Sequence, residues 1–203
     1  MRRIRLLKRA RAAAVALLAL GLVSACGADR FHGQVVDPPK AAPALAGVNW
    51  DGKPFALRDL KGQVAVVFFG YTYCPDVCPF TLAKMKQVYA ELGDRAAQVK
   101  VVFVSVDPQR DTVEKLAAYV PNFDRRFYGL RLEPKRLDQV ARDYGLTVQY
   151  GQPKGGIEAD AYYYVDHTGT FFVVDREGRL RLKYPPSVPV DQLLPDLRKL
   201  LES

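Results

Sequence analysis

Two short runs of this chain are almost continuously apolar, QVAVVFFG at residues 63–70 and VKVVFVSVD at residues 99–107. Their length and composition predict strands buried inside a sheet. Between them Leu82, Met85, Val88 and Leu92 recur at helical spacing, and Gly93 supplies a stop. After the second run, Asp111-Thr112 reads as the cap of a helix whose apolar members are Val113, Leu116, Ala117 and Val120. Pro134 opens a further helix that carries Leu137, Val140, Ala141 and Tyr144 to Gly145. NWDGKPF offers an Asp-Gly turn for a short hairpin, and TFFVVDREGRLRLKY reads as two strands joined at Asp175–Gly178. AYYYVDH reads as a strand or strand end, and residues 190–201 as a closing helix begun or bent near Pro195. Strands alternating with helices, then a hairpin and a terminal helix, predict an α/β domain: a central sheet covered by helices on both faces.

The N-terminal pattern is different. Arg2, Arg3, Arg5, Lys8, Arg9 and Arg11 precede an Ala/Leu-rich stretch of about 14 residues, shorter than the roughly 20 that span a bilayer. Residues 1–25 therefore read as a cleaved export signal. LVSAC at its end resembles a bacterial lipobox, so Cys26 is expected to be lipidated and to anchor the protein on the outer face of the bacterial cytoplasmic membrane. Residues 26–44 are small, polar and Pro/Ala-rich, and read as a tether in which His32 is solvent-exposed. The folded domain is expected over 45–203. Signal removal takes six cationic residues with it, so a formal net charge of +8 falls to about +2. Nothing in that balance argues for nucleic-acid binding.

The chain has three cysteines and two histidines. With Cys26 lipidated, Cys74 and Cys78 in YTYCPDVCPF could form at most one disulfide, which excludes a scaffold of several. A helix beginning near residues 75–78 would favour thiolates through its dipole, and an i,i+4 relation would place both sulfurs on one face. Such a pair serves as a staple, a redox couple or part of a metal site. Two thiolates and an imidazole suit copper, whereas structural zinc usually takes four protein ligands. His167, in VDHTGT, is the one histidine inside the expected domain and reads either as a third ligand or as a plain loop residue. Asp76 and Asp166 could tune such a site from outside the ligand set, or be surface turn residues. Tyr71, Tyr73 and Phe80 read as packing, and Arg110 with Asp111 as a turn and helix cap.

FFGYTYCPDVCP, VSVDPQRDT and YVDHTGTFFVVD, in that order, closely resemble the Sco family (SenC/PrrC) of copper-binding cytochrome c oxidase assembly proteins. The resemblance covers roughly residues 45–200 and implies a thioredoxin-like fold behind a membrane anchor. It implies copper, as Cu(I) or Cu(II), held by Cys74, Cys78 and His167, with Asp76 as the acidic residue between the cysteines. It also implies a partner, the copper A centre of oxidase subunit II, to which such proteins deliver copper or whose thiols they reduce. An upstream copper chaperone or thiol reductant would complete the cycle. A general thiol-disulfide oxidoreductase is the main alternative, but thioredoxins place two residues between their cysteines and this chain places three. The Thr and Arg arrangement of the peroxiredoxins is not recognisable, and no dinucleotide, phosphate-loop or HExxH motif is present.

Overall fold

The computed structural model describes residues 30–152 and 163–203. The signal and Cys26 lie outside the described residues. Residues 32–203 form one compact unit.

At its centre β4 (Val64–Gly70) and β5 (Val99–Ser105) run parallel, with β4 buried at every position. Both apolar runs are strands because helices cover both of their faces. β6 (Tyr128–Arg131) continues the parallel set beside β5. β9 (Phe171–Val174) and β10 (Arg179–Tyr184) form the predicted hairpin, and β9 pairs antiparallel with β4. The Asp-Gly hairpin is β2 (Ala46–Asn49) with β3 (Pro54–Ala56), attached to β6. With β1 (Gln34–Ala41), the mixed eight-stranded order is β1-β10-β9-β4-β5-β6-β2-β3.

Alternation along β4 divides the core in two. Ala65, Val67 and Phe69 join Leu137, Val140 and Tyr144 of α3 (Pro134–Tyr144), with Phe69 edge-on to Tyr144 at 5.2 Å. Phe68 points the other way and meets Phe103 and Phe171. That second face is covered by α1 (Val77–Leu92), α2 (Val113–Tyr119) and α4 (Val190–Glu202), with Tyr119 of α2 against Phe103. Leu82, Met85, Val88 and Leu92 are all buried, as their spacing predicts. The thioredoxin-like layering implied by the resemblance is therefore present.

The expected tether is shorter than residues 26–44, because Gln34–Ala41 pair with β10 as an edge strand. Pro38 and Pro39 fall where the register shifts between Val35 and Lys40, a place where the ladder tolerates missing N–H groups. These prolines gave the segment its linker-like look. His32 is not a free tether residue either. Its backbone N–H and Nδ1 meet the fully buried Asp196 of α4 at 2.6 and 3.0 Å, and Gly33 N–H and the Tyr184 hydroxyl donate to the same carboxylate. Burial alone would raise the Asp196 pKa, but these donors outweigh it and hold it below the usual carboxylate value. Helix α4 starts at Val190 and takes Pro195 into its interior.

Candidate metal centre

Strand β4 ends at Gly70, whose carbonyl accepts from Val106 N–H at 2.8 Å. A Cβ at residue 70 would stand 2.6 Å from the Phe103 ring and 2.7 Å from Cys78 Sγ. Glycine is thus what lets a cysteine sulfur lie against the end of the central strand. The chain then turns, with Cys74 N–H donating to the Tyr71 carbonyl at 3.2 Å, and helix α1 begins at Val77. Cys78 sits in the first helical turn and is buried, while Cys74 precedes the helix and is half-buried. The two are therefore not an i,i+4 pair within one helix as the spacing suggested. Pro75 and the exposed Asp76 form the bend that brings the sulfurs together instead.

That proximity separates the two thiols. Cys74 is drawn down to about 5, first by the hydrogen bond from the Cys78 thiol, with the N–H groups of Asp76 and Cys78 and the field of His167 adding to it. Cys78 is pushed up, first by giving that hydrogen bond and then by burial. At neutral pH the half-exposed sulfur is the thiolate and the buried one keeps the proton.

His167 ends β8 (Val165–His167), which pairs with β7 (Val148–Tyr150) in a separate two-stranded sheet. Its ring stands edge-on to Tyr71, 5.9 Å between centroids. Nδ1 lies 3.2 Å from the Thr168 carbonyl, which can only accept, so Nδ1 is the donor, and in the neutral ring Nε2 is the nitrogen that offers a lone pair. Adjacent residues of a strand face opposite sides, so Asp166 projects away from the imidazole and is exposed. Among the described residues no three His, Cys, Asp or Glu side chains stand close enough to hold a metal ion. The structure thus brings Cys74 and Cys78 together and leaves His167 beside Tyr71, outside a closed three-ligand set. Two thiolates and a neutral imidazole remain a donor set suited to a soft ion such as Cu(I).

The segment after β5 does more than the turn and helix cap read for Arg110 and Asp111. Thr112, not Asp111, caps α2, by accepting from Lys115 N–H. Asp111 is fully buried and faces the cysteine loop, accepting from Thr72 N–H at 3.0 Å, from the Thr72 hydroxyl, and from the Ser105 hydroxyl at 2.6 Å. Its pKa is raised, burial outweighing those donors. Asp107, which the sequence reading does not single out, forms a buried ion pair with Arg110, which it reads as a turn residue. The run VDPQRDT reads as hydrophilic and gives little sign of this. Its one signal is two acidic residues and an arginine placed directly after a buried strand. Tyr71 packs as expected, whereas Phe80 is 71% exposed, and Tyr73 and Val77 in the same segment are exposed as well. Tyr162 lies outside the described residues.

A family model described as SCO1/SenC matches residues 37–202. The solution structure of apo Sco1 from Thermus thermophilus is 39% identical, with a TM-score of 0.74 over 85% of this chain and 98% of that one. The structure of Bradyrhizobium japonicum ScoI with copper bound is 31% identical, with a TM-score of 0.71 over 79% of this chain and 99% of that one. Mitochondrial SCO1 homolog 1 of Arabidopsis thaliana is 33% identical over 165 residues, which cover 78% of this chain and 48% of that protein, so the match spans about half of that relative's length. The family match runs from β1 into α4 and takes in the cysteine loop and β8, and on that extent the chain belongs to the SCO1/SenC family.

Proposed function

We propose that this protein carries copper on Cys74, Cys78 and His167 and delivers it to the copper A centre of cytochrome c oxidase subunit II. The observation that carries the reading is the thiol pair itself: two sulfurs in hydrogen-bond contact where β4 gives way to α1, with Tyr71 of the same loop packed against the His167 ring. A relative 31% identical has been solved with copper bound, which supports the same cargo here. Loading removes the remaining thiol proton and draws β8 toward the cysteine loop to complete three ligands. Thiolates of the partner then displace Cys74 first, because it is the more exposed, and Cys78 second, so the ion is never released to water. The exposed side chains of Tyr73, Val77 and Phe80, in the segment that carries the cysteines, offer a partner apolar contacts. Lipidation at Cys26 would hold the domain at the outer face of the cytoplasmic membrane, and an upstream copper chaperone would reload it.

The split between the two thiols favours a second reading. An accessible thiolate with a buried protonated neighbour is also the arrangement of a dithiol reductant, in which Cys74 attacks a disulfide of the oxidase site and Cys78 resolves the mixed disulfide. Both products are visible in one experiment. Copper-loaded, reduced protein is mixed in excess with the reduced, copper-free subunit II domain, ferricyanide is added to bring the dinuclear site to its coloured mixed-valence state, and the visible absorption of the copper A centre is followed. In parallel, metal-free reduced protein is mixed with the oxidised domain, the two are separated, and the thiols gained by the domain and lost by this protein are counted. Carriage predicts copper A absorption in the first mixture. No absorption there, with rapid thiol gain in the second, would replace the carrier with a reductant.

A further inference from the structure

Arg110 is far from the surface for an arginine, its side chain 3% exposed, and it has an unusual set of neighbours. Nε donates to Asp107, while Nη1 and Nη2 have no hydrogen-bond partner among the described residues. The guanidinium is held by ring faces instead: Tyr163 at 3.4 Å, Tyr73 at 4.8 Å and Tyr71 at 5.8 Å. These rings come from two separate arms. Tyr71 and Tyr73 belong to the loop that ends in Cys74, and Tyr163 leads into β8, which ends in His167. The arms meet again at Asp107, which accepts from the Tyr163 hydroxyl at 2.8 Å as well as from Arg110. On the cysteine side Asp111 fastens Thr72, and Ser105 joins it to the backbone N–H of Asp107. The segment after β5 is therefore a hub with one hand on each ligand arm.

We propose that Arg110 is a positioning residue for metal binding, which sets the approach of the His167 arm to the cysteine loop through its stack on Tyr163. The inference rests on the copper reading above. The planar guanidinium is what allows rings from both arms to share one cation, and lysine cannot reproduce that stack. The residue touches no ligand atom. Its effect is on whether the imidazole reaches the ion that the two sulfurs hold.

The test is a double-mutant cycle on Cu(I) affinity, measured by chelator competition with the full chain in detergent. The chains are wild type, Arg110→Met, His167→Ala and the double variant. Arg110→Met is expected to weaken binding by about 10–100-fold, the range for residues that support ligands from outside the coordination shell. The double variant should then be no weaker than Arg110→Met within a few fold, because the imidazole has already been lost. The Cu(II) form adds a readout that stability does not move: nitrogen hyperfine coupling in the electron paramagnetic resonance spectrum should disappear in Arg110→Met. Tyr163 is half-buried, so Tyr163→Leu and Tyr163→Phe serve if Arg110→Met fails to fold. The Leu variant should lose the nitrogen coupling and the Phe variant should keep it. Wild-type copper binding with independent, multiplying effects of residues 110 and 167, or with nitrogen coupling intact in Arg110→Met or in Tyr163→Leu, overturns the proposal alone. Absence of copper binding in the wild type overturns the copper reading and this inference with it.

Discussion

Gly70→Ala should damage the site from its buried side. The added Cβ would lie 2.6 Å from Phe103 Cε2 and 2.7 Å from Cys78 Sγ, closer than carbon tolerates, and both neighbours are fully packed. Gly70 does not have a positive φ, so the penalty is steric and not conformational. Phe103 is wedged between Phe68 and Tyr119, which leaves Cys78 as the group that must move. Overpacking of this kind costs about 1–3 kcal/mol. For a chain of this size that lowers the melting temperature by roughly 2–12 °C. The chemical consequence is larger. Moving the Cys78 sulfur removes the hydrogen bond that is the first cause of the low Cys74 pKa, so the midpoint should climb from about 5 toward the ordinary thiol range of about 8.5. The assay is the pH dependence of iodoacetamide alkylation. Because only the thiolate reacts, the wild-type rate should stay flat from neutral pH down to about 6 and fall as pH drops through about 5, while in Gly70→Ala the fall should begin above neutrality. An unchanged midpoint with an unchanged melting temperature would refute the argument that this glycine seats the sulfur.

Asp111→Ala should cost about 2–5 kcal/mol in denaturant unfolding, since it strands the Thr72 N–H and the Thr72 and Ser105 hydroxyls in a buried place; Asp111→Asn, which still accepts, should cost less. A chain begun at residue 45 lacks β1 and the His32 clasp, and should associate through the bare edge of β10 in size-exclusion chromatography, whereas one begun at residue 30 should not; equal behaviour would show β1 to be dispensable. Asp196→Asn should remove part of the acid sensitivity of folding: a lowered carboxylate pKa stabilises the fold above about pH 4, and that contribution is lost as pH falls through the folded-state value, so the variant's stability should change less over that window in urea titrations.

The strands and helices of this chain were legible because burial imposes its period on the sequence. Residues 64–70 and 99–105 lie inside the sheet and are apolar apart from Lys100 and Ser105, and Leu82, Met85, Val88 and Leu92 mark the one face of α1 that is covered. β1 was not legible, because an edge strand with two prolines at a register shift has the composition of a linker. Cys74, Cys78 and His167 stood out as residue types and through a family resemblance, but their relative placement depends on contacts between segments far apart in sequence. The buried charges of Asp107, Arg110 and Asp111 were hidden for the same reason. A polar residue in a short segment after a strand looks exposed until the tyrosines and hydroxyls that surround it are brought in from residues 71–73, 105 and 163.

The central claim is a copper site of two thiolates and one imidazole, and the most direct measurement is Cu(I) affinity of reduced residues 30–203 by equilibrium competition, wild type against His167→Ala. The account predicts tight one-to-one binding that weakens by at least about tenfold without the imidazole, in line with the cost of losing one ligand or its support. Weak binding that is the same in both proteins would contradict the three-ligand site and give the thiol pair back to disulfide chemistry.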